Sequence, residues 1–242
     1  MPVTTPRSRT RRPAVATPAP LPDVAAPPLQ DRSRQMLARI VAASRALLEE
    51  RSFEQVSVAD IAARAGVSVG VFYTRFSSKE HVLAHLTREL TPELYRRVET
   101  ALSPGETGRL SMREIAERYF QLTAEAFVRH RAVFRPLSLL TRFEAHADLR
   151  ALTATFNEGV HRLFRDRLLE HRTQVRHPDP VRAVDFAILA SSAVIREVVL
   201  YGEPVSQLSR SQKDAVREAA HVCVAYLTSA TPGPPRARRR TK

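Results

Sequence analysis

Residues 53–83 read FEQVSVADIAARAGVSVGVFYTRFSSKEHVL, and this stretch contains the strongest local signals in the chain. Ser57 is followed three residues later by Asp60, which is the pattern of a capping box that opens a helix. Gly66 is placed to end that helix, because glycine adopts a left-handed backbone at little cost. Ser68 follows closely and can cap another helix. The stretch therefore predicts two very short helices separated by a tight turn.

Helices of about two turns are not stable alone, so each must be held in place by packing. A helix-turn-helix arrangement supplies that packing, with Ala62 allowing the two helices to cross closely. The apolar residues Ile61, Val67 and Phe72 then fill the angle between them and the preceding helix. The second short helix keeps an outward face that can approach a DNA groove, formed by Ser68, Val69, Gly70, Tyr73, Thr74 and Arg75.

Together with the helix before it, this stretch resembles the DNA-binding domain of the TetR family of bacterial transcriptional regulators, over about residues 32–93. The order and spacing of many positions make the resemblance specific. From residue 94 onward only the helical layout is similar to the family. The matching features are Phe53 after the first helix, Ser57-x-x-x-Ile61-Ala62, Ala65-Gly66-Val67-Ser68, Gly70, Tyr73, Phe76 and the helix start Ser78-Lys79-Glu80.

The resemblance implies roles for particular residues. Ser57 and Lys79 match positions that hold DNA phosphates, and Tyr73 matches a tyrosine whose hydroxyl contacts phosphate. Val69 replaces a residue that is often polar or basic, so it touches a thymine methyl group or nothing. Arg75 stands where histidine is frequent, and it reaches guanine or another phosphate. The predicted DNA-binding residues are Ser57, Val58, Ser68, Val69, Gly70, Tyr73, Thr74, Arg75 and Lys79.

Apolar residues recur at helical spacing from Asp31 to Thr228, which predicts about nine helices and no strand. The expected fold is all-α, with the helix-turn-helix domain followed by a helical effector-binding and dimerisation domain. Pro92 is expected to begin or kink a helix, and a capping box at residues 209–212 to open the last one. The predicted parts are a disordered basic tail at 1–31, the DNA-binding domain at 32–93, the second domain at 94–229 and a basic tail at 230–242.

The composition argues against several classes of protein. Of the 242 residues, 43% are hydrophobic and 26% are charged, and no run approaches the ~18 apolar residues of a membrane-spanning helix. The N-terminus has no apolar run typical of a secretory signal. The single cysteine, Cys223, excludes an internal disulfide framework and fits a reducing cytoplasm, which is the location we expect.

The formal net charge of +13 is concentrated in the two tails, which are rich in arginine and proline. Segments of this composition bury too little apolar surface to order themselves, so we expect both tails to be disordered. Their positive charge suits a polyanion, and we expect them to add to the affinity for nucleic acid.

The last two long helices carry stripes of small side chains that permit close approach of another helix. In the TetR family the corresponding pair forms a four-helix bundle with its symmetry mate, and we expect a homodimer of this kind here. The alternative is that the stripes are buried within one copy of the chain. The stripes consist of Ala187, Ala190, Ser191, Ala193 and Val194, and of Ala215, Ala219, Ala220, Val222, Cys223 and Tyr226.

The middle helices carry many aromatic residues, which form either an ordinary core or the wall of a ligand cavity. Two further polar candidates for the wall are His146 and His161. Because His130, His146 and His161 include no i, i+4 pair, we expect no metal site, and no cofactor is predicted. The candidate ligand-binding residues are Tyr119, Phe120, Phe127, Arg135, Arg142, Phe156 and Asn157.

These features together predict a sequence-specific, homodimeric transcriptional regulator that binds a palindromic operator and is released by a small, largely apolar ligand. Repression, as opposed to activation, is what the family resemblance implies. One alternative is a sequence-independent DNA-packaging protein, which the basic tails would suit. The other is an all-α enzyme, although no nucleophile-elbow, phosphate-loop or metal motif is present.

Overall fold

The computed structural model describes residues 31–143, 146–201 and 211–229, which contain ten α-helices and no strand. The predicted all-α fold is therefore confirmed, with one helix more than expected. The additional helix is a single turn where the sequence indicated only a break. The helices are α1 (Asp31–Glu50), α2 (Val58–Ala65), α3 (Val69–Tyr73), α4 (Lys79–Ala101), α5 (Pro104–Thr107), α6 (Met112–Arg129), α7 (Arg131–Leu140), α8 (Ala147–Leu169), α9 (Pro180–Arg196) and α10 (Gln212–Thr228).

Helix α2 is fixed at both ends by the predicted capping residues. The backbone N–H of Asp60 donates to Ser57 Oγ at 3.1 Å, and the N–H of Ser57 donates to Asp60 Oδ2 at 2.9 Å. These hydrogen bonds from Ser57 hold the pKa of Asp60 below its ordinary value. At the other end Gly66 has φ 65° and is the only residue with positive φ in the described part of the chain. The turn into α3 therefore depends on a glycine.

Helix α3 ends at Tyr73, so Thr74 and Arg75 of the predicted DNA-contacting set lie beyond its end. The hydroxyl of Thr74 donates to the carbonyl of Val71 at 2.7 Å. Threonine side chains compete in this way with the helical hydrogen bonds of the backbone. The recognition helix is thus slightly more than one turn long, and it depends on its neighbours for stability.

A first hydrophobic cluster holds α1 to α4 together. Ile40, Phe72, Phe76 and Leu83 are fully buried at its centre. The same cluster includes residues far along the chain, from α7, from the first turns of α8 and at position 200: Val133, Phe134, Leu137, Leu149, Leu152 and Leu200. The predicted DNA-binding domain therefore shares its core with helices from outside residues 32–93.

Helix α4 runs without interruption through Pro92, so the expectation that a separate segment begins there is wrong. Proline removes one backbone N–H, which deprives the carbonyl four residues earlier of its partner. Pro92 itself is exposed. The predicted domain boundary between residues 93 and 94 consequently lies inside one helix.

A second cluster is formed by α6, α8, α9 and α10 with the end of α4. The rings of Tyr119 and Phe164 stack at a centroid distance of 4.0 Å. Phe120 is fully buried and meets Phe164 edge-on. Cys223 is also fully buried, and burial raises the pKa of its thiol to about 12.

Helix α10 begins at Gln212, slightly later in the sequence than the predicted capping box implied. Its N-cap is Ser211, whose Oγ accepts the backbone N–H of Asp214 at 3.1 Å. Ser209 of the predicted capping box lies outside the described residues, as do residues 1–30 and 230–242 of the predicted tails. Within residues 31–143, 146–201 and 211–229, no helix is both long and apolar enough to span a membrane.

We expect Gly66→Ala to lower the free energy of unfolding by about 1–2 kcal/mol, because an L-residue pays a steric cost in the left-handed conformation. The matched control is Gly105→Ala in α5, where an added Cβ meets nothing within 4 Å. Urea denaturation at unchanged m-value measures both effects. Equal stabilities for the two variants would contradict the assignment of Gly66 as a required turn residue.

Candidate DNA-binding and ligand sites

The outward face of α3 is formed by residues that were predicted from the sequence to contact DNA. Tyr73 and Val69 are 54% and 42% exposed, while Phe72 between them is fully buried. The rings of Phe72 and Tyr73 meet edge-to-face at 5.5 Å, which orients Tyr73 away from the core. Ser68, Gly70 and Thr74 are also exposed. The core therefore holds a short helix whose exposed side carries no charged residue.

Arg75 is placed differently from the other predicted DNA-contacting residues. Its guanidinium donates a hydrogen bond to Ser33 Oγ of α1, and the side chain is half-buried. The arginine thus packs back against α1, whereas Tyr73 and Thr74 face outward. That Arg75 reaches a base or a phosphate stays a prediction, and it would require this contact to break.

The remaining predicted contacts lie at the start of α2. Ser57 is exposed, and its hydroxyl donates to Asp60 Oδ2 at 2.6 Å within the capping box. Val58 is half-buried and packs against the first hydrophobic cluster. Because the backbone N–H groups of Ser57 and Asp60 are bonded within the capping box, a phosphate contact from Ser57 or Val58 stays a prediction.

The ammonium group of Lys79 is hydrogen-bonded to backbone carbonyls, which the sequence did not predict. Its Nζ donates to the carbonyls of Phe53 at 2.8 Å and of Val56 at 3.1 Å. The ammonium also lies 4.4 Å from the centroid of the Phe53 ring, a cation–π distance. Two of its three N–H bonds thus tie the start of α4 to the connection between α1 and α2, which leaves one donor for another partner.

Other charges on the helix-turn-helix surface are paired within the protein. Arg64 forms two hydrogen bonds with the carboxylate of Glu50, at 2.9 and 2.6 Å. These bonds hold the pKa of Glu50 below its ordinary value. Arg51 lies 3.6 Å from Asp60. These arginines neutralise neighbouring acids, so neither is free to act as a simple phosphate anchor.

A cavity of about 330 Å³ lies between α4, α6, α7, α8 and α9. It lies where the two hydrophobic clusters meet, because Leu94 and Phe134 belong to the first and Val98 and Val160 to the second. The wall is mainly apolar with several hydroxyl groups. Besides those four it includes Thr87, Thr91, Arg97, Tyr119, Leu122, Thr123, Ala126, Phe127, Leu137, Ser138, Thr141, Arg142, Thr153, Phe156, Asn157, His161, Leu189, Ser192, Arg196 and Leu200.

Most of the predicted ligand-binding residues line this cavity, namely Tyr119, Phe127, Arg142, Phe156 and Asn157. Phe120 and Arg135 do not. Phe120 is on the side of α6 that packs into the second cluster, and the exposed guanidinium of Arg135 lies 5.9 Å from the ring centroid of Tyr201. Neither side chain therefore lines this cavity.

Helices α4 and α9 also line the cavity, and none of their residues was among the predicted ligand-binding residues. Positions 87, 91, 94 and 98 of α4 follow helical spacing and lie on one face. This pattern was visible in the sequence, but the predicted break at Pro92 divided it. On α9, Leu189, Ser192 and Arg196 form a similar face. A ligand in this cavity would touch the helix that continues from the DNA-binding region.

The ionisable groups in the wall include two that burial keeps neutral. Burial raises the pKa of Tyr119 to about 12, and the neighbouring hydroxyl groups of Thr123 and Ser192 oppose this shift. Burial also lowers the pKa of His161, and the nearby charge of Arg165 acts in the same direction. At neutral pH both side chains therefore offer uncharged hydrogen-bonding groups. The described residues contain no cluster of three or more potential metal ligands, and His130, His146 and His161 do not form one.

The outer face of α9 and α10 is apolar and large. Most of the small residues in the predicted stripes, including Ala187, Ser191, Ala219, Ala220 and Cys223, are buried within the chain. These small residues therefore pack α9 against α10 within one copy of the chain. The exposed apolar residues are instead bulky, namely Val181, Phe186, Leu189, Val194, Val222 and Tyr226. The rings of Phe186 and Tyr226 lie 5.2 Å apart and join the two helices into one surface.

Residues 40–86 match the family model described as bacterial regulatory proteins of the tetR family. The curated HTH-type transcriptional regulator EthR of Mycobacterium tuberculosis (strain ATCC 25618 / H37Rv) is 36% identical over 97 residues. The match covers 40% of this chain and 44% of EthR, so the chain spans less than half the length of this relative.

Two solved structures have a similar fold over most of both chains. The TetR-family regulator PfmR from Thermus thermophilus has a TM-score of 0.57 and 19% identity, over 77% of this chain and 97% of PfmR. FadR of Thermus thermophilus, a transcriptional repressor solved in complex with lauroyl-CoA, has a TM-score of 0.50 and 21% identity, over 82% and 98%. At these identities the likeness shows the fold alone.

The position of Lys79 generates a stability prediction. Replacing it in Lys79→Met is expected to lower the free energy of unfolding by about 1–2 kcal/mol, because two carbonyls lose a charged donor. The matched control is Lys213→Met, which removes an exposed lysine of α10. Denaturation curves of the two variants test the assignment, and it is wrong if they are equally stable.

Proposed function

Because residues 40–86 match the model of the tetR family of bacterial regulatory proteins, we propose that the chain is a sequence-specific transcriptional regulator acting on DNA in the bacterial cytoplasm. In this proposal it is a homodimeric repressor that a small, largely apolar ligand releases from a palindromic operator. The observation that carries the proposal is the exposed, uncharged face of α3, held outward by the fully buried Phe72.

This face suits the major groove of B-DNA. Its small residues, Ser68 and Gly70, allow the backbone of α3 to approach base edges closely. The hydroxyl of Tyr73 and the third N–H of Lys79 would position the protein on phosphates, which carry no sequence information. Thr74 and Val69 would then read bases, the first by a hydrogen bond and the second by contact with a thymine methyl group.

A homodimer is supported by the bulky apolar face on α9 and α10. Exposed side chains such as Phe186, Leu189 and Val222 form a continuous surface of the kind that marks protein interfaces. A two-fold interface uses the same patch on both copies, and the two recognition helices then face half-sites about 34–36 Å apart. The proposed operator is therefore palindromic.

Ligand control is supported by the position of the cavity. Thr87, Thr91 and Leu94 in its wall lie on α4, whose first residue, Lys79, is bonded to the connection that precedes α2. A ligand that tilts α4 would change the separation of the two recognition helices. It must bind the displaced state better than the DNA-competent state, and a tenfold loss of operator affinity requires about 1.4 kcal/mol of difference. FadR, whose fold is similar, was solved with lauroyl-CoA, which provides a first probe.

DNA selection tests the regulator against the packaging protein that the net charge of +13 would suit. Selection from random duplexes is expected to yield one two-fold symmetric sequence. Tyr73→Phe should weaken binding to all duplexes alike, by about three- to tenfold, because it removes one phosphate contact. Tyr95→Phe is the control, since Tyr95 is on α4 against Gly159 of α8. Uniform binding to every duplex would favour packaging, and a selected site without symmetry would contradict the homodimer.

A change in the cavity should separate ligand response from DNA binding. Ala126→Phe fills part of the cavity, so the lauroyl-CoA concentration needed for operator release should rise about tenfold or more, equivalent to ~1.4 kcal/mol. Operator affinity without ligand should stay within about twofold, since no predicted DNA contact changes. The control, Ala151→Phe, places the same bulk at an exposed position of α8 outside the cavity. Fluorescence anisotropy of a labelled operator measures both quantities, and equal responses of the two variants would contradict the proposed site.

A further inference from the structure

The cavity has room for a ligand of limited size. Its volume of about 330 Å³ is at the lower end of the ~300–1,000 Å³ of small-molecule pockets, which suits an apolar body of about ten heavy atoms. Most of the side chains around it are apolar, among them Leu94, Phe127, Phe134, Phe156 and Leu200. A ligand that fills the cavity would therefore have a hydrocarbon chain or ring system of about ten heavy atoms as its main part.

The charged groups in the wall are all of one sign. Arg97, Arg142 and Arg196 line the cavity, and no aspartate or glutamate does. Arg97 is neutralised by Glu125, which lies 3.3 Å away outside the wall. Within residues 31–143, 146–201 and 211–229, the guanidinium groups of Arg142 and Arg196 have no hydrogen-bond or ion-pair partner. Two positive charges at the cavity are thus left without a counter-charge in the described structure.

These two arginines have different degrees of solvent contact. Arg142 follows the end of α7 and is exposed, so it lies at the mouth of the cavity. Arg196 is half-buried on the same face of α9 as Ser192. Charges that are partly removed from water interact more strongly with an opposite charge than fully solvated ones do. A ligand anion would therefore gain most from Arg196.

We infer that the ligand of this cavity is an anionic amphiphile, with an apolar body of about ten heavy atoms and one negatively charged head group bound by Arg196 and Arg142. This inference rests on the proposed function, because it names the chemistry of the same effector site. The planar guanidinium can bind a carboxylate or a phosphate through two parallel hydrogen bonds. Asn157 and the neutral His161 supply further donors in the wall.

The test compares ligands that share one chain and differ only in charge. Decanoate, decan-1-ol and decylammonium are titrated into the full-length protein by calorimetry at neutral pH. Decanoate should bind at least about tenfold more tightly than decan-1-ol, equivalent to ~1.4 kcal/mol, and decylammonium should bind most weakly. Decyl phosphate is measured in parallel, and the tighter of the two anions identifies the head group as carboxylate or phosphate.

Variants locate the charge that is responsible. Arg196→Gln should reduce the preference for decanoate over decan-1-ol to about twofold or less. Arg142→Gln should reduce the same preference by a smaller factor, and it serves as the second variant if Arg196→Gln does not fold. Arg109→Gln removes an exposed arginine that does not line the cavity, and it should retain the full preference. Circular dichroism and thermal melting establish that each variant is folded.

Two outcomes would overturn the inference: decan-1-ol binding as tightly as decanoate to the wild-type protein, or no binding of any ten-carbon probe. Either result would leave recognition of DNA by α3 untouched. Operator release is measured separately by anisotropy with the same probes. Tight decanoate binding without release would support the anionic ligand and count against the proposed switch, so the two failures are distinguishable.

Discussion

The continuity of α4 is the constraint on which the rest of the structure depends. The helix spans 23 residues, about 35 Å at ~1.5 Å per residue, and buries side chains in both hydrophobic clusters. Val82 and Leu83 pack beside the helix-turn-helix, whereas Val98 belongs to the second cluster with α6 and α8. A helix cannot bend in one place without losing hydrogen bonds, so the two clusters are mechanically joined. Any displacement at the cavity must be taken up by the whole helix or by a break at Pro92.

The parts of the fold that local sequence signals determine could be predicted. The cap at Ser57, the turn at Gly66 and the buried Phe72 each depend on residues within a few positions of one another, and the structure places them as expected. The expectation that a helix begins at Pro92 was wrong, because α4 continues through it and packs into both hydrophobic clusters. Tertiary contacts override local preference at such positions.

The binding surfaces were less predictable, since they are made by residues distant in the sequence. Periodicity identified Tyr119 and Phe156 as inward-facing, and both line the cavity. It could not distinguish Phe120, one residue further around α6, which packs into the core instead. The partners of Lys79, two backbone carbonyls of the connection before α2, carry no side-chain signal at all. Similarly, the packing of Arg75 on Ser33 joins positions 42 residues apart.

The burial of Cys223 makes it a natural reporter on the second cluster. Its thiol is fully buried with a pKa of about 12, so almost none of it is the reactive thiolate at neutral pH. An alkylating reagent can therefore reach it only when α10 separates from α6 and α9. Because the chain has no other cysteine, the rate of labelling would measure how often that part of the molecule opens, with the native sequence left intact.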